Sequence, residues 1–195
     1  MSEWQELFNG ENLDGWKATG NADGWTVEDG LIKCLAQKGG YLATNGQFEN
    51  FELTLEYKTE PDVNSGIFFR WSDISDPVHT GLEIQILDTY GKAPMDKHDS
   101  GALYDLVAPK VNAVKPAGEW NDMRVKCDGP MIEVDLNGQR ILDVNIDDYD
   151  TPGQSPDGEP NKFKYAWKNL PRLGRIGLQD HNGVIWFRAL RVREL

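Results

Sequence analysis

The sequence predicts an all-β fold, a sandwich of two antiparallel sheets. Three observations predict it. Apolar and polar residues alternate strictly over short runs, most clearly in FELTLEYK at 51–58. Turn dipeptides rich in Gly, Asp and Asn separate about a dozen such runs along the chain. Nowhere does a long stretch carry the 3.6-residue period of an amphipathic helix.

The elements follow in order. Residues 4–16 (WQELFNGENLDGW) read as a short turn and a loop dense in Asn, Asp and Gly. TVEDGLIKCLA reads as two short strands joined by Asp29-Gly30, a pair suited to the left-handed positions of a hairpin turn. Gly39-Gly40 and Asn45-Gly46 mark further turns. In 51–58, Phe51, Leu53, Leu55 and Tyr57 take one face while Glu52, Thr54, Glu56 and Lys58 take the other, as a half-buried strand requires. GIFFRW at 66–71 follows the turn PDVNSG, with Ile67 and Phe69 inward and Phe68 and Arg70 sharing the opposite face. LEIQILD at 82–88 puts Leu82, Ile84 and Ile86 on one face and Glu83 and Gln85 on the other, and its aromatic neighbours mark it as a central strand. Residues 89–119 are irregular, with one helical turn expected at 102–106. MRVKCDG, IEVDLNG and QRILDVNI form an antiparallel meander turning at Asp128-Gly129 and Asn137-Gly138. Residues 147–172 are a second long irregular stretch, and 176–188 (IGLQDHNGVIWFR) reads as a β-hairpin closed by Asp180 and His181. Irregular stretches this long in a compact domain are usually functional.

The totals limit what the chain does. At 195 residues it makes one domain, 1–195, with a sizeable core. Lys and Arg number 20 against 32 Asp and Glu, a net charge of −12, which disfavours nucleic acid and anionic membrane as partners and suits a neutral ligand such as a sugar. No apolar run approaches the ~20 residues of a membrane span. The start, MSEWQELFNG, has neither the basic nor the apolar region of a signal peptide, so the chain as it stands is expected in the cytoplasm; a chain trimmed of such a signal would be periplasmic or secreted. Cys34 and Cys127 are expected as buried free thiols, with a single bridge as the alternative.

The chemistry-bearing residues gather in two stretches. Glu83 and Gln85 are either a solvated strand face or, under the long loops, the floor of a cleft. Asp88 is either a turn residue or their third member. Arg70 is either a cross-strand ion pair with Glu83 or an anchor for sugar hydroxyls or a developing oxyanion. Asp180 and His181 carry the strongest signal: an imidazole suits proton transfer near neutral pH and a neighbouring carboxylate tunes it. Gln179, Trp186 and Arg188 lie within a few residues of them. His98, close in sequence to Tyr104, is a second candidate, and His79 is expected to face solvent. Glu83, Asp88, Asp180, His181 and His98 would also suit a divalent metal ion, without any ligand-spacing motif. Trp71, Trp120, Trp167 and Trp186 suit either sugar stacking or the core, with Trp120 assigned to the core. The sequence has no HExxH motif, phosphate loop, dinucleotide fingerprint or Gly-x-Ser-x-Gly.

LFNGENLDGW at 7–16, GIFFRW, GLEIQILD at 81–88, SGALYDL at 100–106, GEWNDMRVKCDGPMIEVDLNG at 118–138 and LPRLGRIGLQDHNGVIWFRALRVREL at 170–195 occur in this order. Together they resemble the 3-keto-disaccharide hydrolase domain family over nearly the whole chain. The resemblance implies a concanavalin A-like jelly-roll sandwich of two antiparallel sheets, with a site on the concave sheet. It carries site positions to Arg70, Glu83, Gln85, His98, Asp180, His181, Trp186 and Arg188, beside which Tyr104 and Gln179 are candidate substrate contacts. It implies cleavage of glycosides whose sugar is a ketone at C3: a base removes the C2 hydrogen, the glycosidic oxygen leaves C1 by β-elimination, and water then adds. His181 oriented by Asp180 is the expected base. Arg70, or a divalent metal ion held by Glu83 with His98, would stabilise the enolate. Two rivals share the fold: a retaining β-glucanase-type glycosidase using Glu83 and Asp88, and a non-catalytic carbohydrate-binding module.

Overall fold

A computed structural model describes residues 2–195. In chain order the strands are β1 (Gln5–Glu6), β2 (Trp16–Ala18), β3 (Trp25–Glu28), β4 (Leu31–Cys34), β5 (Tyr41–Thr44), β6 (Phe51–Thr59), β7 (Asn64–Trp71), β8 (Leu82–Leu87), β9 (Asn121–Asp128), β10 (Met131–Leu136), β11 (Gln139–Asn145), β12 (Arg175–Gln179) and β13 (Ile185–Glu194). One short helix, α1 (Pro77–Thr80), lies between β7 and β8. No helix among the described residues is long and apolar enough to cross a membrane.

The strands form two antiparallel sheets. The larger runs β11-β10-β9-β6-β13-β4-β3, with β1 also paired to β13. The smaller runs β2-β5-β12-β7-β8. Alternation decides which face of each strand is buried. Phe51, Leu53, Leu55 and Tyr57 of β6 are each at most 1 % exposed and meet Ile67, Phe69, Ile84, Ile86, Ile176 and Leu178 of the smaller sheet in one core. Hairpins close where the dipeptides predict them: Asp29 and Gly30 join β3 to β4, and Asn137 (φ 51°) and Gly138 (φ 77°) join β10 to β11, all left-handed. Cys34 and Cys127 are buried and unbridged. Burial pushes both thiols up to about 12, so neither is a nucleophile.

Five expectations fail here. The stretch 176–188 is not a hairpin. β12 pairs with β5 and β7, whereas β13 pairs with β6, β4 and β1, so residues 180–184 cross from one sheet to the other. Ile185 and Phe187 enter the core from the larger sheet, which turns Trp186 and Arg188 to that sheet's outer face. There Lys58 Nζ lies 4.8 Å from the Trp186 ring, and Arg188 bonds Glu56 at 2.6 Å while stacking 3.9 Å over Trp120. Trp120 is accordingly half-buried on the outer face and not in the core.

β8 is an edge strand, not a central one. Its free edge is covered by residues 101–104: Gly101 N–H donates to Gln85 O (2.8 Å), Gln85 N–H to Ala102 O (3.0 Å) and Tyr104 N–H to Glu83 O (2.9 Å). A loop on an exposed edge prevents pairing with other chains, and here it also carries Tyr104 to the side of Glu83. The expected helical turn at 102–106 is a tight turn in which Leu103 and Val107 bridge. His79, expected in solvent, is half-buried with its ring edge-on to Phe163.

Candidate functional site

The outer face of the smaller sheet carries the site. Register brings two rows of side chains across it. Tyr41 faces Gln179 and Gly66 faces Gln85; continuing the pairing of Leu178 with Ile67 sets Gln179 opposite Gly66. The neighbouring row is Ala43, Gly177, Phe68 and Glu83. Gly66 has a packing reason: a Cβ there would collide with the Glu83 carboxylate, which lies across it.

These rows form the floor of a pocket of about 160 Å³, lined by Tyr41, Asn64, Phe68, Val78, Glu83, Gln85, Tyr104, Lys162, Gln179 and His181. Gln85 is buried and its Nε2 donates to Asn64 Oδ1 at 3.1 Å. Ser65 Oγ fixes the Gln179 backbone at 2.7 Å. His181 stands exposed at the rim. A larger cleft of about 660 Å³ lies at 90–95 and 109–114, but its charged side chains are Lys92 and Lys110, without an acid–base partner for the chemistry of a glycoside.

Glu83 is the titratable centre of the pocket. Burial raises its carboxyl from the usual 4.5 to about 7, and the charge of Lys162 limits the rise. Lys162 lies with Nζ 4.1 Å from the Tyr104 ring centroid, and burial holds its ammonium below the usual range while Glu83 and Asp105 oppose that. Burial also raises the Tyr41 and Tyr104 phenols, keeping them as neutral hydroxyls. The site therefore offers a carboxyl that exchanges protons near neutrality, a cation, two phenols, three amides and an imidazole.

Lys162 comes from the long 147–172 stretch and is held by Asp105. Asp105 Oδ2 accepts from the Lys162 N–H at 2.7 Å, and its Oδ1 lies 2.9 Å from His98 Nε2 and 3.0 Å from Lys97 Nζ. Burial alone would raise the Asp105 carboxyl, but these donors bring it below the usual range.

Of the residues expected in the site, Glu83, Gln85, Tyr104, Gln179 and His181 line the pocket. Arg70 does not. Arg175 pairs with Trp71 and Gly177 with Phe68, so β7 carries one extra residue, a bulge, with Arg70 left-handed at φ 49°. The bulge gives Trp71 the outer face beside Phe68 and sends Arg70 inward, where its guanidinium donates to Glu49 O (3.1 Å) and Gly129 O (2.8 Å). Asp180 does not orient His181: its Oδ2 accepts from Gly39 N–H at 2.7 Å, while its own N–H donates to Gly40 O at 2.7 Å, tying the sheet crossing to the 37–40 turn. Trp186 and Arg188 lie on the other sheet. His98 stands behind Tyr104, with ring centroids 5.2 Å apart, and is engaged with Asp105. Asp88 caps a turn by accepting from Asp62 N–H at 3.1 Å.

The donor set does not fit a metal ion. Among the described residues no three His, Cys, Asp or Glu side chains gather to hold one, and Glu83 is the sole carboxylate of the pocket. Tyr41, Asn64 and Lys162 escape a reading of the sequence. Tyr41 alternates with core residue Leu42 on a short strand, a weak signal. Asn64 and Lys162 sit in or beside loop sequence with no period to place them.

The family model described as the 3-keto-alpha-glucoside-1,2-lyase-like domain matches residues 3–193. A protein of Bacteroides thetaiotaomicron named 3-keto-disaccharide hydrolase is 28% identical, over 97% of this chain and 77% of its own length. A candidate glycosyl hydrolase from Parabacteroides distasonis, known from its crystal structure, is 32% identical and superposes with a TM-score of 0.88, covering 99% of this chain and 100% of the other. A Bacillus licheniformis β-glucanase superposes at a TM-score of 0.56 with 14% identity, covering 100% of this chain and 98% of the other; it shares the concanavalin A-like fold alone.

Proposed function

The chain belongs to the 3-keto-alpha-glucoside-1,2-lyase-like family, and on that premise we propose that it cleaves glycosides whose sugar carries a ketone at C3, with Glu83 as the base. The observation that carries this reading is the pocket's single carboxyl, Glu83, raised by burial to about 7 and facing a cation and neutral donors in a pocket sized for one sugar ring. A C3 ketone acidifies the C2 hydrogen. The Glu83 carboxylate takes that proton, and the C–H electron pair becomes an enolate on the C3 oxygen. Lys162 supplies the charge that stabilises the enolate. Collapse of the enolate forms the C1=C2 double bond, restores the ketone and breaks the bond from C1 to the glycosidic oxygen. The departing oxygen takes a proton from His181 at the rim. Water then adds to C1 and gives its proton back to His181, while Glu83, its carboxyl having exchanged with solvent, protonates C2, giving the 3-keto sugar.

His181 is thus reassigned from base to acid, because Asp180 is committed to Gly39 and Glu83 lies deeper. Retaining hydrolysis of an unoxidised glycoside needs two carboxyls ~5–5.5 Å apart, and the pocket supplies one. A binding module would use the same amides and phenols without turnover. The test is to offer a 3-keto-glucoside, its unoxidised parent and a β-glucan side by side. Aglycone release from the first alone supports the reading. Release from the parent or the β-glucan, or from none, sinks it.

A further inference from the structure

Arg70 leaves a second feature that the sugar chemistry does not use. It is 3 % exposed, and among the described residues no carboxylate pairs with it. Its Nε and Nη2 donate to the carbonyls of Glu49 and Gly129, but its Nη1 is buried without an acceptor. Trp167 is also buried, and its Nε1 likewise lacks an acceptor. Both side chains line one small cavity of about 10 Å³, with Leu82, Ile146, Leu170, Pro171 and Arg172. That volume admits about one water-sized particle.

The side-chain chemistry of this cavity is one-sided. Arg70, Trp167 and Arg172 bring only N–H donors, and guanidinium and indole have no acceptor to offer. A water molecule would accept two of these bonds and find no side chain to receive its own hydrogens. The remaining side chains are aliphatic. The charge is unbalanced as well: Asp147, the nearby carboxylate, is bonded to Arg172 at 2.7 Å. A buried guanidinium without a paired carboxylate is costly: burial, with the charge of Arg172 beside it, pulls the Arg70 guanidinium below its usual range, and the more distant Glu49 and Asp147 only partly oppose this.

We propose that this cavity is a structural site for a single halide-sized anion, held by Arg70 Nη1 and Trp167 Nε1. The anion would neutralise Arg70 at the bulge of β7 and tie the 3-10 turn at Trp167–Asn169 to the sandwich. Since the same 147–172 stretch delivers Lys162 to the pocket, anion binding would stiffen one wall of that pocket from behind.

Two measurements test the proposal on the full chain. Crystals soaked in sodium bromide should show an anomalous bromine peak within hydrogen-bonding distance of Arg70 Nη1 and Trp167 Nε1; a cavity holding water without bromine overturns it. In solution, Tm should be higher in chloride or bromide than in gluconate at equal ionic strength, and Trp167→Phe, which keeps the packing and removes the donor, should shrink that difference. A halide effect absent from the wild type, or equal in size in W167F, contradicts the site.

Discussion

Asp105 Oδ2 accepts a 2.7 Å hydrogen bond from the backbone N–H of Lys162, and that contact joins the two long irregular stretches that wall the pocket. Tyr104 is fixed on one side by its bond to β8, and Lys162 is carried by the other stretch. Asp105 does not line the pocket, and its proposed part is to position Lys162. Asp105→Ala should lower kcat about tenfold with a smaller change in KM, and cost about 2 kcal/mol of stability for the buried partners left unmet. Steady-state kinetics with a melting curve checks this. A stability loss with unchanged kcat would make Asp105 merely structural.

The buried carboxyl of Glu83 gives a second expectation, with two parts of opposite sign. Glu83→Gln should lower kcat by about 10²–10⁴-fold, the usual worth of a general base. It should also stabilise the fold at high pH. Below 4.5 the carboxyl is protonated in both folded and unfolded chains. Between 4.5 and about 7 the folded chain keeps a proton that the unfolded chain has lost, so stability falls as pH rises, by about 3 kcal/mol in all. Glutamine carries no such loss. Denaturant melts should show the variant more stable than wild type at pH 8 and much less so at pH 5.

The rate should follow the same ionisation. As a base Glu83 works in its charged form, so kcat/KM should rise with pH through a limb near 7. The charge of Lys162 opposes the rise of that carboxyl, so Lys162→Met should move the limb upward in pH while lowering the plateau. A pH profile of each protein reads both effects. A limb that stays put would detach Lys162 from Glu83.

Trp186 and Arg188 sit on the outer face of the larger sheet, remote from these groups. Trp186→Ala and Arg188→Ala should each leave kcat/KM within about twofold of wild type. Loss of the half-exposed Arg188–Glu56 pair should cost no more than about 1 kcal/mol. Kinetics on both variants checks the placement.

These residues also show what the sequence makes legible. Alternation is a local property, so the faces of β6 and β8 were readable, and with them Glu83 and Gln85 on one side. Two departures from alternation were not. The bulge at Arg70 depends on Trp71 pairing with Arg175 about a hundred residues away, and no local pattern near GIFFRW marks it. The crossing at 180–184 looks like a hairpin in sequence, because a short polar segment between two strands is the same whether the strands pair or belong to opposite sheets. Lys162 was beyond reach for a third reason: its place is set by a backbone bond to Asp105, in an irregular stretch with no period. The resemblance to a family pointed to β7, β8 and the end of β12, which meet at the pocket, but also to β13 in the other sheet, and it could not correct the side-chain directions.

The central claim is that Glu83 removes the hydrogen at C2 and that cleavage follows from it. A 3-keto-glucoside carrying deuterium at C2 tests this most directly, with product analysed by mass spectrometry for wild type and Glu83→Gln. The account predicts that wild type releases aglycone with loss of deuterium from C2, and that the variant does neither. Aglycone release with deuterium fully retained at C2, or undiminished release and exchange by the variant, would contradict it.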